Sequence, residues 1–262
     1  MAGNFWIGLR PTGYLNELKF DKARKEINIA LTNGANNPVT LRNAARVFHV
    51  LGRSAEATAL AKKAVELDPV QTRSWFYLIS NYLLDGNYSE ALKAIEQAPD
   101  TRNVLHYYKV ICLLKLNRFS EAGKLIQDQN IARGFFQVLL NSFKGVKDDS
   151  LLKKLEIEFG DKPENGLWLA QLFANSGNPD KAMMYINKAV AAKNYDFTLA
   201  FNPLYSPLRK DPRFTKFFEK MNYPKYKCQS EKIYLSLFPS SNTTSALVSL
   251  GWTSLLLLFP QR

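Results

Sequence analysis

The residues able to carry out acid–base, nucleophilic or metal chemistry are few in this chain, and their spacing does not assemble them. It holds His49 and His106 as its histidines and Cys112 and Cys228 as its cysteines. A structural zinc site needs several Cys or His ligands grouped at short spacings. Here there is no Cys-x-x-Cys pair, and neither histidine has a second ligand at such a distance along the chain. Both histidines therefore read as structural, and Cys112 as part of a buried helix face. No glycine-rich phosphate loop, nucleophile elbow or motif that pairs carboxylates is present. The expectation is a protein that is not an enzyme and uses no cofactor and no metal.

What remains chemically forward is positive charge. The formal net charge is +12. Its surplus gathers in residues 203–232, where Arg209, Lys210, Arg213, Lys216, Lys220, Lys225, Lys227 and Lys232 face only Asp211, Glu219 and Glu231. Such a run can meet nucleic-acid phosphate or an anionic membrane surface. Nucleic acid is disfavoured, because no base-stacking aromatics are interleaved in a recognised module. The plainer account is a solvated basic face, with Arg209, Lys210, Arg213, Lys216 and Lys220 as its candidate patch.

The elements that must position these side chains are written in a sparse pattern that recurs 34 positions apart. Trp75, Leu78, Tyr82, Gly86, Ala91, Ile95 and Ala98 occupy one set of slots. Leu41, Ala44, Ala45, Phe48, Gly52, Ala57, Ala61, Ala64 and Pro69 occupy the equivalent set upstream. Ala57, Ala61 and Ala64 fall at i, i+4 and i+7, one stripe of a helix on which small side chains permit close approach of a neighbour. Gly52 and Gly86 fall where one helix ends and the next begins, a place suited to a left-handed residue. Pro69 closes its unit and favours the start of the following helix.

This period and residue pattern resembles the tetratricopeptide repeat. The resemblance implies an all-α fold, a right-handed α-solenoid of stacked helical hairpins ending in a C-terminal capping helix. It spans residues 4–196, most clearly in 38–71 and 72–102. It continues in 103–129 through Leu113, Phe119, Ala122 and Ile126, and in 163–196 through Leu169, Ala170, Phe173, Gly177, Ala182, Ile186 and Ala189. Residues 4–37 give a second helix through Phe20, Ala23, Ile27 and Ala30, behind a first helix damaged by Pro11 and Gly13. A shortened hairpin is expected over 131–158, on Phe135, Phe136, Leu139 and Leu140 and then Leu151, Leu152 and Leu155. Residues 197–222 form the expected capping segment, in which Asp211 caps a short helix with Pro212 at its first position. The run from Pro207 through Asp211, Pro212, Arg213 and Phe214 is similar to the ending of repeat domains in bacterial winged-helix regulators and adenylate cyclases.

Residues 223–262 read as a tail that is apolar or partly disordered. No charged residue occurs in 233–260, and 246–259 is largely apolar. A membrane-spanning helix needs about 20 apolar residues, and Pro239 with the polar run after it interrupts the approach. The N-terminal apolar run, residues 5–9, has no charged region ahead of it and does not read as a secretory signal. The chain is therefore expected to be cytoplasmic, the alternative being membrane association through the tail.

The resemblance implies a function of interaction, since stacked hairpins present their first helices as a groove. The second, fifth and ninth slots of successive units give Arg42 and Arg46, then Arg73, Phe76 and Ser80, then Tyr107 and Ile111. A basic mouth over an aromatic floor suits a protein or peptide ligand that is acidic at one end and partly apolar. Arg42, Arg46, Arg73, Phe76 and Tyr107 are the candidate partner-binding residues, with simple packing as the competing role for Phe76 and Tyr107. Chaperone-binding members use Lys and Asn to clamp a terminal carboxylate; here those slots hold Arg42, Arg46, Tyr77, Val104 and Tyr108, which counts against that particular recognition. The alternative function is a sensory protein of bacterial transcription or cyclic-nucleotide signalling that lacks its own effector domain.

Overall fold

The computed structural model describes residues 13–15, 17–99, 105–128, 133–194, 202–221 and 223. The chain divides into two compact units, Met1–Gln229 and Ser230–Arg262. The second unit lies wholly outside the described residues, as do Pro11, Val104, Phe201 and Cys228, and with them the readings made above for the tail. The described part of the first unit is all helical, without a strand, and none of its helices is long and apolar enough to cross a membrane.

Helix α1 (Phe20–Asn33) buries Phe20, Ala23, Ile27 and Ala30, the stripe that its apolar spacing dictates. Helix α2 (Pro38–Val50) begins at Asn37, whose side-chain oxygen accepts from the amides of Val39 at 2.9 Å and Thr40 at 3.2 Å. Helix α3 (Ser54–Leu67) returns against α2 with Ala57, Ala61 and Ala64 fully buried, so no side chain holds the two backbones apart. The same hairpin recurs as α4 (Thr72–Leu84) with α5 (Tyr88–Gln97), α6 (His106–Lys115) with α7 (Phe119–Asp128), α8 (Arg133–Phe143) with α9 (Asp149–Phe159), and α10 (Gly166–Asn175) with α11 (Pro179–Ala191).

A common turn joins the two helices of each hairpin. The first helix ends, a residue adopts positive φ, and the amide after it reaches back to a carbonyl five residues earlier. Gly52 (φ 75°) is followed by Arg53, bonded to Phe48 O at 2.8 Å; Gly86 (φ 77°) is followed by Asn87, bonded to Tyr82 O at 2.8 Å. Gly145 and Gly177 repeat this, and Asn117 takes the position at φ 58° in the third hairpin. Asparagine tolerates the left-handed region better than other side-chain-bearing residues, which is why that hairpin closes without glycine.

First helices α2, α4, α6, α8 and α10 pack side by side, and each second helix also packs on the first helix of the next hairpin. This is the right-handed α-solenoid of stacked hairpins. Trp75, Leu78 and Tyr82 fill the space behind the alanine stripe, and the Trp75 indole donates to Pro69 O at 2.7 Å, tying the helix to the turn that starts it. Ala91, Ala122 and Ala182 repeat the close contact in later hairpins, each fully buried.

The chain ends its described course in a 3-10 turn (Pro203–Leu208) and the capping helix α12 (Pro212–Lys220). Asp211 caps α12 by accepting from Arg213 N at 2.9 Å, with Pro212 at the first position. The turn is anchored on α10. Tyr205 is fully buried and its hydroxyl donates to Leu167 O at 2.9 Å, while the Asn175 side chain donates to Leu204 O at 2.7 Å. A cap stacked only on its neighbour would stop there. Here Phe218 meets Tyr223 at 5.2 Å between ring centroids, and Tyr223 meets Phe20 of α1 at 5.1 Å, so the segment joins the last hairpin to the first described helix.

Candidate partner-binding site

The face made by the first helices carries the sequence-predicted residues, and the structure sorts them by exposure. Arg42 on α2 is only 9% exposed. Burial, and then the like charge of Arg73, pull its guanidinium below the ordinary value, with Tyr77 and Asp68 acting the other way. Its Nε is buried without a hydrogen-bond partner among the described residues. Arg46, one turn further along α2, is half-buried, and Arg73 at the start of α4 is exposed. Phe76 and Tyr107 are half-buried, whereas Ser80 and Ile111 of the same slots are buried and belong to the packing between helices.

Phe76 and Tyr107 are members of a longer row of rings. Phe76 contacts Tyr77 at 5.5 Å and Tyr108 at 5.4 Å, both edge to face. Tyr108 contacts Tyr107 at 5.3 Å, and Tyr107 lies 5.9 Å from Phe136 and 6.4 Å from Phe135. Phe135 reaches Trp168 at 5.6 Å. The row thus crosses α4, α6, α8 and α10 in geometries that aromatic quadrupoles favour. Tyr107 is also fixed by its hydroxyl, which donates to Gln171 Oε1 at 3.1 Å on α10, a contact that skips one hairpin. Gln171 in turn donates to the Tyr205 hydroxyl at 3.4 Å.

Comparison with known proteins bears on this arrangement. A family model described as Tetratricopeptide repeat matches residues 167–196, the last hairpin. A tetratricopeptide repeat protein from Parabacteroides merdae ATCC 43184 has a similar structure, with TM-score 0.51 and 15% identity, over 90% of this chain and 99% of that one. The chain carries a recognisable tetratricopeptide repeat (TPR) at residues 167–196 within a TPR-like fold. YrrB, described as a TPR protein with an unusual peptide-binding site, matches at 18% identity with TM-score 0.39, covering 66% of this chain and 96% of its own. MamA matches at 18% identity with TM-score 0.38, covering 69% of this chain and 92% of its own. No curated protein matches the sequence.

The basic patch of this TPR-like chain is divided by its own contacts. Arg213 is bound on two sides, to Asp211 at 2.6 Å and to Asp180 on α11 at 2.7 Å, so much of its charge is met within the chain. Arg209 is half-buried and sits near Lys115 and Tyr88. Burial, and then the Arg209 charge, pull the Lys115 ammonium down to about 8. Its Nζ contacts Ser206 Oγ at 3.4 Å and lies 5.0 Å from the centre of the Phe143 ring. Lys210, Lys216 and Lys220 remain exposed.

The histidines are placed by packing. His49 is buried between α2 and α4, where burial outweighs a hydrogen bond with Asn81 and lowers its pKa to about 4. Among the described residues no group of His, Cys, Asp and Glu could hold a metal ion. Cys112 is buried on α6 and its thiol is pushed up to about 12 by desolvation.

Sequence reasoning missed Phe135, Trp168 and Gln171 as parts of the face. The fifth and ninth slots that select Arg42 and Arg46 in the first clear repeat fall on Phe135 in 131–158 and on Gln171 in 163–196. The signal for those two was present; Trp168 lies off these slots and shows only through its ring contact.

Proposed function

We propose that this TPR-like chain is a non-catalytic interaction module that binds a protein or peptide segment, acidic at one end and partly apolar, in the groove made by its first helices. The row of rings from Phe76 to Trp168, with Arg42, Arg46 and Arg73 at its N-terminal end, carries this reading. Phe76, Tyr107 and Tyr108 are half-buried and Trp168 is exposed, while the buried Phe135 and Phe136 hold the row in place; such pre-positioned rings offer large contact area at little entropic cost, the usual composition of binding hot spots. The arginines add direction. Arg42 is held close to a like charge and partly desolvated, so an incoming carboxylate gains more there than on open surface.

The arginines and the rings make separable contributions to binding kinetics. Reversal of the exposed Arg73, or of Arg46, to Glu should slow association and flatten its salt dependence, because such charges act by steering. Truncation of Phe76 to Ala should chiefly speed dissociation, by roughly 1–2 kcal/mol or more. Tyr107 is less suited to this test, since its loss also breaks the bond to Gln171. Partners captured by the full chain and measured against these variants decide the matter. Unchanged affinity in both, with circular dichroism showing the fold intact, removes the groove as the binding surface.

A further inference from the structure

The row of rings ends beside a pocket that the described residues leave open. Between α8, α9 and the start of α10, Phe135, Leu151, Leu155, Phe159, Trp168 and Leu172 surround a space of about 340 Å³. Gly134 is one reason it stays open. A Cβ at that position would stand 3.1 Å from Leu155 Cδ2, so the glycine leaves the wall bare where α8 and α9 approach. Trp168 lines the pocket and is 51% exposed, whereas the other aromatic side chains among the described residues are buried or half-buried.

The rim carries charge of unequal sign. Arg133 and Lys154 stand against Glu158 alone. Both cations are exposed, and neither takes part in an ion pair among the described residues; Arg133 donates only to Gln127 O, at 2.5 Å. An apolar pocket walled by ring faces and edges, with a net positive rim, fits one kind of visitor: a flat ring with a carboxylate close to it.

We infer that this pocket receives a single aromatic side chain of a partner protein segment, with a neighbouring carboxylate held by Arg133 and Lys154. The inference deepens the groove reading and rests on it, because Phe135 and Trp168 belong to the same row of rings as Phe76. It places the partner's apolar anchor at the C-terminal end of that row, away from the arginines of α2 and α4. The partner segment then runs along the first helices with its acidic end at the arginines of α2 and α4, and its apolar end supplies a ring flanked by a single carboxylate.

The test uses the full chain and two small probes that differ in one group, N-acetyltryptophan and N-acetyltryptophan amide. Binding is read from the indole N–H resonance of Trp168, assigned by its disappearance in Trp168→Ala. The acid is expected to bind in the millimolar range, as single-side-chain ligands do, and the amide several-fold more weakly. Lys154→Glu should abolish that preference while retaining the ring contact. Trp168→Ala, assayed through the probe's own signals, should abolish binding of both. These positions are exposed, so the fold is expected to survive both changes. No shift of the Trp168 resonance with the acid, or equal binding of acid and amide to the unmodified chain, overturns the proposal. A Trp168 resonance that moves with protein concentration alone would assign the pocket to a second copy of the chain and also overturn it. The probes report on the pocket alone, whereas the arginine variants are measured on captured partners, so failure at the pocket and failure of the arginine end are read separately.

Discussion

Acidification should destabilise this domain in part through His49. It lies on α2, 4% exposed, with Asn81 of the neighbouring hairpin as a hydrogen-bond partner. Burial disfavours the imidazolium and brings the pKa from 6.5 to about 4, against the smaller opposing effect of Asn81. Below the unfolded value the denatured chain takes up a proton that the folded chain refuses. The stability contributed by neutral His49 is therefore complete above 6.5 and is lost progressively as the pH falls towards 4. At roughly 1.4 kcal/mol per unit, the gap corresponds to about 3 kcal/mol. That is a large part of the roughly 5–15 kcal/mol that holds a typical domain folded. The assay is urea denaturation across this pH range for the unmodified protein and for His49→Gln, which removes the titration. Carboxylates shared by both proteins cancel in the difference. The unmodified protein should lose about 3 kcal/mol more than the variant between neutral pH and the folded pKa. Parallel loss in the two would show that the imidazole protonates without penalty, and the argument from burial would fail.

Ala91 is fully buried where α5 meets α4, so Ala91→Leu should overpack the hairpin and cost on the order of 1–3 kcal/mol in chemical denaturation; an unchanged midpoint would deny the close contact. A Cβ at Gly166 would stand 2.9 Å from Tyr185 O and 3.1 Å from Ala189 Cβ. Gly166→Ala should therefore lower the thermal midpoint despite a helix-propensity gain of up to about 1 kcal/mol, and a raised midpoint would refute the tight approach of α10 to α11. Tyr223→Ala should raise amide exchange in α1 while leaving α4 and α5 protected, because Tyr223 links α12 to Phe20; unchanged exchange in α1 would show that the link carries no stability.

The parts of this structure governed by local spacing were legible in the sequence. The buried stripe of Ala57, Ala61 and Ala64 and the positive φ at Gly52 and Gly86 follow from residue type and interval alone. The third hairpin was harder to see, since Asn117 does there what glycine does elsewhere and His106 and Lys109 blur its apolar pattern. At the candidate site the register located Arg42, Arg46, Arg73, Phe76 and Tyr107 on one face. It could not say that Arg42 is buried beside Arg73, or that Ile111 faces inward to the core, because exposure depends on the neighbouring hairpin. The contacts of Tyr107 with Gln171 and of Arg213 with Asp180 join residues far apart in the chain, and no interval in the sequence encodes them. The charge run that suggested a uniform basic face is broken for the same reason.

The link from Tyr205 on α10 to Tyr223 on Phe20 makes the C-terminal segment a ruler. An open array of hairpins can gain or lose a member at modest expense, because each one touches only its neighbours. Here the distance between α1 and α10 must match a strip of fixed length, one 3-10 turn and one short helix. Insertion or deletion of a hairpin would leave that strip too short or too long and detach Tyr223 from its seat. Among the described residues, the number of hairpins between α1 and α10 is thus matched to the segment that follows them, and a change in one calls for a change in the other.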